Sequence, residues 1–285
     1  MKNIHATMTR RNFIHLSGFA GAGIATLGIL SGCSNSSDNT AASGDSYTLV
    51  EDGKLTAIGD WSFPPLESMD ENTGEVQGFD IDLLKAVAEK MGLEANFLPT
   101  QKFDTLVPTI TQGGRADVAI SGITITDERL EQIDFTDAYL SSNQGLVVKI
   151  GSQFDGLDEK ALIDALNTPE NQVSAQSGTT GGDWIQENLP NCTYVPLDDP
   201  IQSMTGVSSG LYSACVSDLP VVSNLCNESY TDLTVALQIP TGEEYGIVVS
   251  KDNPELTAAI NEALKELEED GTMDELQTKW FGQTI

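Results

Sequence analysis

Ala116-Asp117-Val118-Ala119-Ile120-Ser121-Gly122-Ile123-Thr124-Ile125-Thr126-Asp127-Glu128-Arg129 is the stretch on which the fold turns. Its apolar, β-branched run closes on Ser-Gly, the pattern of a buried strand reaching the edge of a sheet. Thr126 then stands as an N-cap, with Asp127 and Glu128 in the first turn of a short helix that carries Arg129. Hydroxyls, turn amides and one guanidinium thus gather at the C-terminal end of a strand, where α/β sheets bind ligands. A guanidinium fork pairs with a carboxylate in a bidentate, charge-assisted way. From these residues alone two readings stand: an anion site, or an ordinary strand–turn–helix junction whose Arg pairs with a surface acid.

Working outward, the neighbouring segments alternate between strand and helix. Lys54 to Ile58 reads as a strand, ending in Gly59-Asp60-Trp61-Ser62-Phe63-Pro64-Pro65, where two prolines forbid a helix and project aromatic side chains. Phe79, Leu83, Val87 and Met91 recur at spacing four, with Asp80 and Asp82 in the first turn, Lys90 in the last and Gly92 beyond. That predicts a helix. Leu93 to Leu98 reads as a strand, and Phe103 to Ile110 as a short helix. Gln144 to Val148 is an apolar strand, and Gln172 to Gln176 another, running into Ser177-Gly178-Thr179-Thr180-Gly181-Gly182 and a helix with Trp184 and Ile185. The amides of such a turn can hold an anion. It lacks the Lys of a phosphate loop and the spacing of a dinucleotide fingerprint. Leu211 to Asp218 and Gly246 to Ser250 read as strands. Asn253-Pro254 opens a long helix stopped by Gly271, and Thr272-Met273-Asp274-Glu275 reads as the capping box of a last helix ending at Gly282. Alternating β and α segments imply a mainly parallel sheet covered on both faces.

The chain has 285 residues, with 14 Lys+Arg against 43 Asp+Glu and a formal net charge of −29. Such acidity argues against nucleic-acid binding, which needs clustered bases. Residues 1–32 read as an export signal. Thr9-Arg10-Arg11-Asn12-Phe13-Ile14 is a twin-arginine motif, followed by a small apolar run from Phe19 to Leu30 that is short for a membrane span. Leu30-Ser31-Gly32-Cys33 resembles the lipobox of bacterial lipoproteins, in which the Cys becomes the lipidated N-terminus, bearing fatty acid such as palmitate. The alternative is an uncleaved anchor. Three bases, both histidines and no acid leave with the signal, so 11 bases remain and the net charge falls to −32. His-based triads and His-ligated metals are excluded from the mature chain. Only Arg115 and Arg129 remain among the arginines. Residues 33–46 are Ser, Asn, Asp, Thr, Ala and Gly after Cys33, a tether without periodicity. Cys192, Cys215 and Cys226 are too far apart for a CxxC site. A Cys192–Cys226 disulfide is slightly preferred, with three inert thiols as the alternative.

Phe79-Asp80-Ile81-Asp82-Leu83, Ser121 to Arg129, Asp134-Phe135-Thr136 and Asp270-Gly271 through Lys279-Trp280-Phe281-Gly282 together resemble one family. It is the polar amino-acid-binding proteins of ABC importers, solute-binding protein family 3, such as the glutamine- and lysine/arginine/ornithine-binding proteins. The resemblance implies an α/β, two-lobed periplasmic-binding-protein fold of type II. Each lobe is then a mostly parallel sheet flanked by helices, joined to the other by two crossing hinge segments. Lobe I would be 47–142 plus 246–285, and lobe II 143–245. It also implies a monomer without cofactor or metal, lipid-anchored outside the cell membrane, that delivers its ligand to an ABC permease.

Ligand residues are carried over by that resemblance. Arg129 would clamp the α-carboxylate, helped by Thr124, Thr179 and the amides near Gly178 and Thr180. Ser121, Gly122 and Asp218 would accept the α-ammonium. Phe63 and Phe103 would sandwich the side chain, with plain core aromatics as the alternative. Asp60, Gln176 and Ser217 match specificity positions; one acid beside neutral polar groups suits a polar uncharged ligand first and a basic one second. A dehydratase-like enzyme on the same fold is the other-class reading, with Glu243 or Glu244 as its suggestive acids. A sensory module is a third, and no signalling domain follows residue 285 in the sequence.

Overall fold

The chain is described here by a computed structural model covering residues 47–70 and 72–284. The export motif, the lipobox Cys33 and the tether lie outside the described residues. Two five-stranded sheets form the frame. In the first, Glu94–Phe97, Lys54–Ile58 and Val118–Ala119 run parallel, and Val248–Val249 then pairs antiparallel with Val118–Ala119 and with Asp134–Phe135. In the second, Thr193–Leu197, Gln172–Gln176 and Ala214–Asp218 run parallel, flanked by Leu140–Lys149 and Leu233–Tyr245 in antiparallel pairing. Each sheet is therefore a parallel βα core, with antiparallel pairing confined to its flanking strands. A small sheet of Ser62–Phe63, Glu67–Met69 and Val76–Gln77 caps the first.

Leu140–Lys149 and Leu233–Tyr245 are the two crossing segments. They pair from Leu140↔Tyr245 at one end to Lys149↔Leu233 at the other, with a register shift between Ile239 and Glu243. There Gly242 takes a φ of +63° and its amide donates to Asn143 Oδ1 at 3.0 Å. A residue with a side chain is strained at that φ. The shift returns Glu243 to the strand with its side chain buried at the junction.

Local chemistry explains most elements. The helix Phe79–Lys90 buries Ala88 and, with larger side chains contributing roughly 1.5–3 kcal/mol each by leaving water, Phe79, Ile81, Leu83, Leu84 and Val87. Thr126 caps Asp127–Gln132 by accepting from the Arg129 amide at 3.2 Å. Thr179 caps Thr180–Asn188 the same way through Gly182. Asp158 caps Glu159–Leu166 and Asp199 caps Pro200–Ser209. Pro254 opens Pro254–Glu269.

Two expectations change. Thr272 is not an N-cap: Thr272–Phe281 is capped by Gly271 in the left-handed region, and Thr272 instead donates its hydroxyl to Asp270 Oδ1 at 2.6 Å. Cys192 and Cys226 form no disulfide; Cys192, Cys215 and Cys226 are all free. Cys192 packs with Leu189 and Val173 in one cluster, whereas Cys226 packs with the cluster of Val222 and Cys215. Alternate residues of the strand Ala214–Asp218 supply those two clusters, so they cover opposite faces of the second sheet. Among the described residues no helix is long and apolar enough to cross a membrane.

Candidate ligand-binding site

The predicted site residues converge where the C-terminal ends of the parallel strands of both sheets face each other. The turn after Val118–Ala119 is stitched to the second crossing segment by Ile125 N to Glu244 O (2.8 Å) and Gly246 N to Ile123 O (3.1 Å). This fixes Arg129, one helical turn further on. Its Nη1 donates to Thr124 O at 2.6 Å and its Nη2 to Gly178 O at 2.9 Å, so one guanidinium ties the two lobes. Its Cζ lies 5.5 Å from the ring centre of Phe103, a cation–π distance. Among the described residues two of its five N–H groups are thus engaged and three remain. Burial lowers the Arg129 pKa, while Asp218, Asp183 and Glu243 hold the charge in place.

Gly178 explains how closely the lobes meet. It sits at φ +75°, and a Cβ there would lie 3.0 Å from Asp104 Cβ of the first lobe. Lys102 Nζ and Asp198 Oδ1 add a second bridge at 2.7 Å. A cavity of about 260 Å³ opens beside the guanidinium, lined among others by Phe103, Arg129, Gly178, Thr180 and Asp183. That is below the volume of sites for drug-sized ligands.

Beside Arg129 lies a buried acid pair. Glu243 Oε2 accepts from Thr124 Oγ1 and from Thr180 Oγ1, both at 2.9 Å, one hydroxyl from each lobe. Gln144 Nε2 donates to Glu243 Oε1 at 3.2 Å and to Asp218 Oδ1. Burial, with Glu243 nearby, pushes Asp218 up to about 7. A guanidinium and two carboxylates side by side complement a zwitterion: anion to one, ammonium to the other.

At the far end, Gln176 Nε2 donates to Asp60 Oδ2 at 2.5 Å across the lobes and to Asp198 O at 2.9 Å. Ser62 Oγ donates to Asp60 Oδ1 at 2.8 Å. Burial pushes Asp60 up to about 6, and Asp198 and Asp199 add to the negative field. Phe63 is buried against Gly122, whose φ of +54° and close neighbours leave little room for a side chain.

Some predicted donors and acceptors are engaged locally. The Ser121 hydroxyl accepts from Asp60 N (3.1 Å) and donates to Glu67 Oε1 (2.5 Å). The Thr179 hydroxyl caps its helix and donates to Gln176 O at 2.8 Å. These two side chains shape the turns. Sequence reasoning missed Gln144 and gave Glu243 only a catalytic reading. The available signal was a lone amide, Gln144, heading the run Gly145-Leu146-Val147-Val148.

Two α/β lobes, two crossing segments and a polar site between strand ends define a type II periplasmic-binding-protein fold. The chain belongs to the bacterial extracellular solute-binding proteins, family 3, whose model matches residues 55–283. It is similar to the L-cystine-binding protein TcyJ of Escherichia coli (strain K12), 27% identical over 271 residues covering 95% of this chain and 98% of that one. It is similar to the glutamine-binding protein GlnH of Bacillus subtilis (strain 168), 28% identical, covering 89% and 92%. Among solved structures, an ancestral arginine-binding protein bound to glutamine matches with a TM-score of 0.73 and 35% identity, over 81% of this chain and 99% of that one.

Proposed function

We propose that this chain is the extracytoplasmic receptor of an ABC importer, closing on a free α-amino acid whose side chain is rich in N–H donors. A guanidinium or a carboxamide meets that description. The observation that carries this reading is Arg129, bound to both lobes with three donors left and set beside Asp218 and Glu243. The ligand's α-carboxylate lies against Arg129 and the amides near Gly178 and Thr180, and its ammonium against Asp218. Its side chain extends past Phe63 and Phe103 toward Asp60 and Gln176, where Asp198 and Asp199 favour donors and repel acids. No bond is made or broken. The mature chain begins at a lipidated Cys33 after twin-arginine export, and residues 34–46 tether a monomer to the membrane beside its permease. Lobe I spans 47–142 and 246–285, and lobe II spans 143–245.

A thermal-shift panel of the twenty amino acids tests this. Ligand at about 100 Kd stabilises by about 2.7 kcal/mol, a shift on the order of 5–10 °C for a chain of this size. Arginine or glutamine should give it and aspartate and glutamate should not. A response to acidic amino acids alone, or to none, overturns the reading. Release of the chain from membranes by Cys33→Ala tests the anchor.

A further inference from the structure

Behind the Ser121–Gly122 turn lie two acids shut off from solvent. Glu67 and Asp80 are both fully buried, with no base beside them. Glu67 Oε1 accepts from Ser121 Oγ at 2.5 Å. Asp80 Oδ2 accepts from the Gly122 amide and from Tyr139 OH, each at 2.9 Å. The remaining oxygens, Glu67 Oε2 and Asp80 Oδ1, are buried and accept from no donor among the described residues. Two ionised carboxylates cannot be held together in such a place, because each buried charge costs several kcal/mol and they repel. The two side chains lie within hydrogen-bond reach of one another, and a hydrogen between them removes one charge and satisfies both unpartnered atoms.

We propose that Glu67 and Asp80 share one proton at neutral pH, and that this bridge is the positioning element for the Ser121–Gly122 turn of the ligand site. The bonds then run unbroken from Asp60 N through Ser121, Glu67 and Asp80 to Gly122 N and Tyr139. Glu67 carries the proton: its oxygen accepts one hydroxyl, whereas Asp80 accepts two donors and stays the anion. Burial first, and Asp80 second, pushes Glu67 well above the usual carboxylate range. The other titratable groups facing the pair are Asp60, Tyr139 and, beyond Tyr139, Tyr245. The inference rests on the amino-acid reading only for the statement that the turn faces ligand.

The bridge has a distinctive substitution pattern. Glu67→Gln keeps a donor facing Asp80, and Asp80→Asn keeps a donor facing Glu67, so each single variant preserves the contact without a titrating proton. The double variant sets amide against amide. Urea unfolding of the exported chain between about pH 5.5 and 8.5 reads the proton directly. The folding constant of the wild type should fall tenfold per pH unit more steeply than that of Glu67→Gln. Near pH 6 the double variant should bind L-arginine at least tenfold more weakly than either single variant. Above the pH at which the proton leaves, wild-type affinity should fall relative to Glu67→Gln. An infrared band of a protonated carboxyl at neutral pH should be present in the wild type and reduced in Glu67→Gln; Asp218→Asn and Asp60→Asn mark the parts owed to those two raised acids. Equal pH slopes in wild type and Glu67→Gln, or a double variant no weaker than its parents, overturn the proposal. The unfolding and infrared arms use no ligand, so their failure is separable from failure of the amino-acid reading.

Discussion

Replacing Arg129 by Lys isolates what the guanidinium does. The charge stays opposite Asp218, Asp183 and Glu243, so the acids keep a counter-ion. The fork is lost. An ammonium on a single stem cannot reach Thr124 O, Gly178 O and a ligand carboxylate together in the planar geometry of Arg. One charge-assisted hydrogen bond contributes about 1.5–3 kcal/mol, so affinity should fall roughly tenfold to 150-fold. Arg129→Ala removes the charge as well and leaves the acids uncompensated, a loss of about 2–5 kcal/mol. Calorimetric titration with whichever amino acid leads the panel measures both, with Arg115→Ala as the exposed control. The order expected is Arg115→Ala unchanged, Arg129→Lys weakened, Arg129→Ala weaker still. Full affinity in Arg129→Lys would refute the two-lobe clamp, and equal loss in Arg115→Ala would show that only net charge matters.

Protonation gives a second test. Asp60 and Asp218 have folded pKa values of about 6 and about 7, raised by burial from 3.8. The folded chain therefore binds more protons than the unfolded one in that interval, and stability from these groups is present at low pH and declines as pH rises through both values. Affinity for a cationic amino acid moves oppositely, tightening as the acids ionise. Melting curves and titrations over about pH 5–8 should show opposed slopes, and parallel slopes contradict the assignment. Gly178→Ala should destabilise the folded chain by about 1–2 kcal/mol through its left-handed φ and weaken binding through contact with Asp104; unchanged affinity would remove the close approach of the lobes from the account. Asp60→Asn should lower affinity for arginine more than for glutamine, and an equal effect on both would place the side-chain end elsewhere. Thiol titration of the unfolded, unreduced mature chain should find Cys192, Cys215 and Cys226 all reactive, and a count short by two would restore a disulfide.

The fold was legible wherever one local rule decided an element. Spacing four and flanking charges placed Phe79–Lys90, and a single hydroxyl placed the start of Asp127–Gln132. Leu233–Tyr245 was not legible: its burial does not alternate, and Pro240 and Gly242 interrupt it because the crossing segment changes register there. The helices Pro200–Ser209 and Leu219–Glu228 went unread, although both carry proline in the first turn after an acid. Thr272 misled because a Gly in the left-handed region can cap a helix without a side chain. At the site, resemblance supplied the residue types, but their partners came from the geometry. Gln144, Glu243 and Glu67 join segments up to 119 residues apart, and no short-range pattern reports such pairs.

The two ends of the cleft differ in how freely a lineage can rewrite them. At Arg129 both protein partners are backbone carbonyls, Thr124 O and Gly178 O, which every amino acid possesses. No substitution at those two positions deletes the acceptor, although any side chain at Gly178 would still meet Asp104. At the opposite end the bridge is side chain to side chain, Gln176 to Asp60, and one nucleotide change in either codon can alter it. Under the proposed function, a change of ligand is then sought first in the Asp60–Gln176 pair, with the Arg129 contacts left in place.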